Sequence, residues 1–336
     1  MSESSHPSRG RRAVLCSAAV ASLPLLWPTA ACAQSSAWPA KPIRIIVPFA
    51  PGGGVDVLTR AVAAELSQRW KQPLVIENRA GAGSIIGADM VAKAPPDGYT
   101  LLATVNPTVV ANRFLYRSLP YDPDRSFEPI MLMVASDQLL LASAALPANN
   151  LKELIALAKK EPGKLNYGSY GMGSQPHLLY ETIKAREGID LLHVPYKGIT
   201  PMLTALAAGE VMLGSGSVAV AQPLVAAGKI KPISVAGTKR VPQYPDVPTT
   251  VELGYPYAQT SIWYALFAPA GTPAAVLDKI RTDVKAVLSD RSFAEMHALS
   301  KGLTVVAGDG EFLSRTIREE TQVTAIQIKA AGVQPE

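Results

Sequence analysis

At 336 residues, with 48% hydrophobic and 18% charged side chains and a formal net charge of +5, the chain is a folded protein larger than one ordinary core. Lys and Arg are scattered with no run of four, which argues against a nucleic-acid partner, and no apolar stretch beyond the leader is long enough for a transmembrane helix. Both cysteines, Cys16 and Cys32, fall within the first 33 residues, so disulfides, cysteine nucleophiles and thiolate metal sites drop out of the remainder together.

Arg9, Arg11 and Arg12 precede an apolar run from Ala13 to Trp27, and the small residues Ala31-Cys32-Ala33 follow. Residues 1–33 therefore read as a cleavable signal peptide, with Gln34 as the mature N-terminus and the periplasm as destination. Its removal takes away three arginines and Glu3, leaving a net charge of +3. The Arg11-Arg12 pair keeps both the general secretory and the twin-arginine routes open. Cleavage before Cys32 would instead give a lipoprotein, but Thr29 stands where such a site prefers a leucine-like residue.

From residue 42 onward, Val/Ile/Leu-rich runs at 43–49, 74–77, 100–105, 191–194, 230–236 and 263–268 alternate with helical spacing, a pattern that predicts parallel sheets covered by helices. Val57, Leu58, Ala61, Val62, Leu66 and Trp70 predict a helix directly after the first strand. Asn150 with Glu153 forms a capping box, Thr200-Pro201 and Thr272-Pro273 each place a cap before proline, Ser174 caps a helix to about Arg186, Gly209 stops a helix, and Asp309 opens the last one. The segments 137–145 and 262–269 read as crossings between two lobes. That gives lobe 1 as 34–137 and 263–336, and lobe 2 as 138–262.

The strongest local signal is Val47-Pro48-Phe49-Ala50-Pro51-Gly52-Gly53-Gly54-Val55-Asp56. Glycines at a strand's C-terminal edge, just before a helix, expose backbone N–H groups at the positive end of its dipole, which makes an anion cradle unless the glycines only make a tight turn. Asp56 is placed to cap that helix. A second glycine turn, Tyr167 to Ser174, precedes another helix and repeats the arrangement in lobe 2, with His177 on the first helical turn. Thr104 and Asn106 end the third strand at the edge where open α/β sheets bind ligands, although Asn106-Pro107 also opens loops. Tyr196 and Lys197 end a strand, Ser215 lies in the turn 213–217, and Trp263 reads as packing at a crossing.

No GxGxxG or GxxxxGK[ST] loop follows a strand, HExxH and GxSxG motifs are absent, and His177, His193 and His297 lack metal-ligand spacing. The expectation is no cofactor and no metal. Glu319-Glu320 reads as a solvated helix face. The leading expectation is capture of a carboxylate by two helix N-termini across a closing cleft. The alternatives are a sensory receptor that hands its closed form to a signalling partner, and an exported enzyme with His177 and Asp56 in acid/base roles.

The stretches VPFAPGGGVDVLTR (47–60), IENRAGAG (76–83), AKAPPDGYTLL (92–102), LHVPYKG (192–198) and VPTTVELG (247–254) closely resemble extracytoplasmic receptors of the tripartite tricarboxylate transporter family, the TctC or Bug proteins. The resemblance covers essentially all of the mature chain. It implies a two-lobed type II periplasmic-binding-protein fold, a Venus flytrap with two crossings between lobes. It places carboxylate contacts on Phe49, Pro51, Gly52, Gly53, Gly54 and Asp56, on Thr104 and Asn106, and on Gly173 and Ser174, with His177, Tyr196 and Ser215 as further candidates. It also implies capture of a small carboxylate, such as a di- or tricarboxylate, aromatic acid or amino acid, with a two-component membrane permease as partner; the chain itself is expected to be a monomer. Met212 stands where family members often carry an aspartate, which weakens the expectation of an amino-acid ammonium.

Overall fold

The computed structural model describes residues 38–196 and 198–335; the signal-peptide reading and Lys197 lie outside them. The first unit is β1 (Ile43–Val47), α1 (Gly54–Trp70), β2 (Leu74–Asn78), α2 (Ile85–Ala92) and β3 (Thr100–Val105), with the three strands parallel and β1 in the middle. In α1, Val55, Leu58, Val62, Leu66 and Trp70 recur every three or four residues and are buried against the sheet, which is why this stretch is a helix. Two short helices, α3 (Asn106–Val109) and α4 (Asn112–Leu115), lead to the long strand β4 (Phe127–Asp137).

The chain then enters a second sheet through β5 (Leu139–Ser143), α5 (Leu151–Lys160), β6 (Asn166–Ser169), α6 (Gln175–Glu187), β7 (Leu192–Pro195), α7 (Ile199–Ala208), β8 (Leu213–Gly216), α8 (Val218–Ala226) and β9 (Ile230–Val235). It returns by β10 (Ser261–Pro269), followed by α9 (Ala274–Leu288), α10 (Arg291–His297), β11 (Thr304–Asp309) and α11 (Gly310–Ala330). The sheets have the orders β11-β4-β10-β3-β1-β2 and β7-β6-β8-β5-β9. Each has apolar cores on both faces, so each is an α/β lobe in its own right. Ser261 pairs with Asp137, Gln138 N–H donates to Thr260 O (3.3 Å) and Thr260 N–H to Ala236 O (3.0 Å), so the two crossings form one hydrogen-bonded hinge.

Both sheets are mixed rather than parallel. The returning strand β10 runs antiparallel to β3 and β4, and β5 runs antiparallel to β8 and β9, because a chain that leaves a lobe and comes back re-enters in the opposite direction. The longest strand, β4, had no strand signal of its own: Pro129 interrupts it, and its buried pattern lacks alternation. Asn150 caps α5 as expected, accepting from Glu153 N–H at 2.9 Å, and Asp309 caps α11 by accepting from Phe312 N–H at 2.9 Å. Two predicted caps are displaced. Gly198 rather than Thr200 caps α7, and Pro273 caps α9 while the Thr272 hydroxyl donates to Pro269 O (2.7 Å).

Candidate functional site

The first glycine loop ends at Gly53, which is the N-cap of α1 in an extended conformation. Pro51, Gly52, Gly53 and Gly54 are exposed, and the N–H groups of the first helical turn have no carbonyl four residues back. Asp56 is the third helical residue rather than the cap. Its buried carboxylate reaches back to accept from Gly52 N–H (2.9 Å), and also accepts from Asn78 Nδ2 (2.9 Å) and Arg60 Nε (3.1 Å). Burial pushes this carboxyl up, but the bonds from Arg60, Gly52 and Asn78 outweigh it and hold the group below its ordinary value. Asn78 also donates to Phe49 O (3.1 Å), so both ends of the loop are tied to Asp56. Phe49 packs partly buried on the lobe 1 core. From below, a Cβ at Gly54 would overlap the hydroxyl of Tyr264.

The second loop is tied as tightly. Gly171 and Gly173 have φ of +127° and +66°, conformations that favour glycine, and a Cβ at Gly173 would overlap Leu115 from lobe 1. The Ser174 hydroxyl donates to Gly171 O (2.6 Å) instead of capping α6, and Ser169 Oγ donates to the same carbonyl (3.0 Å). Gly173 N–H donates to Nδ1 of His177 (2.9 Å), which makes Nδ1 the unprotonated nitrogen. The His177 ring stacks on His193 at 4.2 Å, and His193 stacks on Tyr167 at 4.8 Å. Burial lowers both imidazoles from their ordinary value, His193 to about 4.

A histidine whose folded value lies below its unfolded one stabilises the fold above about pH 6.5, and that contribution is lost as pH falls toward 4. Protonation of His177 at Nδ1 would also remove the acceptor for Gly173. The melting temperature is therefore expected to fall more steeply over this window in the native chain than in His193→Gln, followed by circular dichroism. Equal slopes would remove the stack from the loop's stability.

The remaining predicted residues have mixed placements. Thr104 is fully buried, its hydroxyl 2.6 Å from Thr108 Oγ1, which lies 2.8 Å from Ser84 Oγ. Ser84 belongs to a turn with positive φ at four successive residues, including Ala82 (+44°) and Ser84 (+79°), a strained backbone held in part by Asn112 Nδ2 donating to Gly83 O (2.9 Å). Asn106 is buried, and its amide nitrogen donates to Ser261 O (3.1 Å) and Glu320 Oε2 (3.3 Å), so its donors serve the hinge. Tyr196 is partly buried against the lobe 2 core beside Gly168, and the fully buried Ser215 hydroxyl has no hydrogen-bond partner among the described residues. Met212 packs partly buried on the other apolar cluster of lobe 2, with its N–H donating to Asn166 Oδ1 (2.7 Å).

Sequence reasoning missed Arg60 and Asn78, which hold Asp56, and Tyr264, which supports Gly54. Gly54 of the first loop lies over Tyr264, while Gly173 of the second loop packs against Leu115 of lobe 1, so the lobe 2 loop meets the opposite lobe directly. Sequence reasoning also misread Glu320. It is partly buried and accepts from Trp263 Nε1 (2.7 Å), whereas a solvated position was expected; no signal short of tertiary packing separates it from Glu319.

Two α/β lobes on one hinge, each presenting a glycine-rich helix N-terminus, are the build of a solute-binding protein of the periplasmic type. The chain belongs to the TctC family: the model for "Tripartite tricarboxylate transporter family receptor" matches residues 58–333. It is similar to the solved structure of Rpa4515 from R. palustris with adipate, at 35% identity, 89% coverage of this chain, 100% of that one and a TM-score of 0.82. The periplasmic binding protein BugD is 34% identical, covering 89% and 100%, with a TM-score of 0.78. MatC from Rhodopseudomonas palustris with bound malate is 32% identical, covering 87% and 100%, with a TM-score of 0.77.

Proposed function

We propose that this protein is an exported receptor that closes its lobes on a small carboxylate and presents it to a membrane permease. The observation that carries the reading is that each lobe presents a glycine loop at a helix N-terminus and that the lobe 2 loop, at Gly173, packs against Leu115 of lobe 1. Adipate and malate in the similar structures support a short dicarboxylate as ligand. Export follows cleavage after Ala33, and the lobes are taken as 34–137 with 263–336, and 138–262.

In this reading the N–H groups of Gly53, Gly54 and Val55 hold one carboxylate group, between Phe49 and Pro51 as walls. Gly173 and Ser174 approach from lobe 2, while Gly52, Asp56, Thr104, Asn106, His177, Tyr196 and Ser215 shape the loops around the ligand. Capture without turnover fits a site whose acidic candidate, Asp56, already spends both oxygens on Gly52, Asn78 and Arg60.

Binding adds stability by mass action, about 2.7 kcal/mol at a ligand concentration a hundredfold above Kd. After unfolding and refolding to strip carried-over ligand, a thermal-shift screen of di- and tricarboxylates, aromatic acids and amino acids is expected to raise the melting temperature with at least one short dicarboxylate. A panel with no shift would defeat the proposal.

A further inference from the structure

A chain of side-chain hydrogen bonds crosses from lobe 2 to lobe 1, and all of it runs in one direction. The Tyr170 hydroxyl donates to Gln175 Oε1 (2.6 Å), and Gln175 Nε2 donates to Ser261 O (2.5 Å) and Asn106 Oδ1 (3.4 Å). Asn106 Nδ2 donates in turn to Ser261 O and to Glu320, whose other oxygen accepts from Trp263. An ionised carboxylate only accepts, so Glu320 obliges Asn106 to turn its NH2 inward and its oxygen toward Gln175. Gln175 must then offer its nitrogen to Asn106 and its oxygen to Tyr170. The reverse direction would turn both amide oxygens toward the Ser261 carbonyl and strip it of both donors, at a point where the hinge strands pair.

We propose that Glu320 is a positioning residue: its carboxylate sets the direction of this relay and so fastens the Tyr170 loop of lobe 2 to lobe 1. The relay itself is independent of the ligand, whereas its effect on affinity rests on the binding reading above.

Glu320 lies on the wall of a cavity of about 320 Å³ that also touches Asp137 of β4 and Glu319 of α11, with no Lys, Arg or His among its lining residues. Trp263 of β10 and Asn106 of α3 meet it as uncharged donors. Burial pushes the Glu320 carboxyl up to about 7, against the opposing effect of the Trp263 and Asn106 bonds. Protonation puts a hydrogen where one of these two donors already points. The relay is then intact above neutrality and weakened below it, a window above that of His193.

Two readouts test this. In ligand-free protein labelled with ¹⁵N at tryptophan, the Trp263 indole N–H signal, assigned with Trp38→Phe and Trp70→Phe, is expected to titrate with a midpoint near 7 and to be flat in Glu320→Gln. Calorimetry with adipate is expected to show affinity falling about tenfold from pH 8 to pH 6, a change of about 1.4 kcal/mol. Glu320→Gln should be weak and flat at both pH values, since glutamine offers one oxygen to two separated donors. Gln175→Met breaks the relay from lobe 2, so it should weaken adipate while leaving the indole titration in place. A flat indole signal in the native chain, or native affinity and pH profile in Glu320→Gln, would overturn the proposal. A titrating indole with no adipate bound at either pH would support the Glu320 relay and count against the binding reading.

Discussion

Asp56→Ala is expected to weaken carboxylate binding about 10- to 100-fold and to lower stability by about 1–3 kcal/mol. The carboxylate is 2% exposed, and its removal leaves Gly52 N–H, Asn78 Nδ2 and Arg60 without their shared acceptor. Arg60 is half exposed and turns to water, so most of the cost falls on Gly52 and Asn78. Those two groups set the curvature of residues 49–53, and a cradle that must be ordered by its ligand binds less tightly than one already formed. Calorimetry and thermal melts on the same sample separate the two effects. Asp56→Asn keeps one acceptor and should lie between; an alanine variant with native affinity would remove Asp56 from the site.

Valine at either of two adjacent glycines in the same loop is expected to cost affinity, but at only one of them to cost stability as well. Gly53 is extended, with φ −70° and ψ 161°, and the nearest atom to an added Cβ is Ala50 O at 3.7 Å. Gly53→Val should fold normally, within about 0.5 kcal/mol, yet lose about 100-fold or more in affinity because its side chain stands over the N–H groups. At Gly54 the added carbon overlaps the hydroxyl of Tyr264, a buried residue paired on both sides in the central sheet. Gly54→Val should therefore lose affinity and also about 1–3 kcal/mol of stability through overpacking. If Gly53→Val binds like the native chain, the exposed N–H groups of this loop do not meet the ligand.

Local chemistry made the glycine loops legible in the sequence. A run of three glycines between a Val/Ile strand and an amphipathic helix marks a turn at the helix N-terminus with its backbone uncovered, and the capping pairs Asn150/Glu153 and Asp309/Phe312 depend on residues three apart. Thr200 and Thr272 misled because α7 already begins at Ile199, which puts Thr200 inside the helix, and because the Thr272 hydroxyl is bound to Pro269 O in the turn before α9. The parallel-sheet expectation failed at β10 and β5, since strand direction there is set by the route between lobes and leaves no mark in either segment.

The supports of the site were hidden for a different reason. Asn106 ends the third strand as expected, but its amide nitrogen is also bonded to Ser261 and Glu320, residues more than 150 positions away in the chain, which no local pattern could report. Glu319 and Glu320 are indistinguishable by type, and only the packing of α11 against the hinge turns one of them inward. Periodicity reports which face of a helix is buried. It is silent on which polar group on that face carries charge into the interior.

The most direct test is a crystal structure of the refolded protein with adipate. One carboxylate group about 3 Å from the N–H groups of residues 53–55, with residues 171–174 closing over the same molecule, is the expected result. Adipate bound elsewhere, or touching one lobe alone, would contradict the two-loop grip.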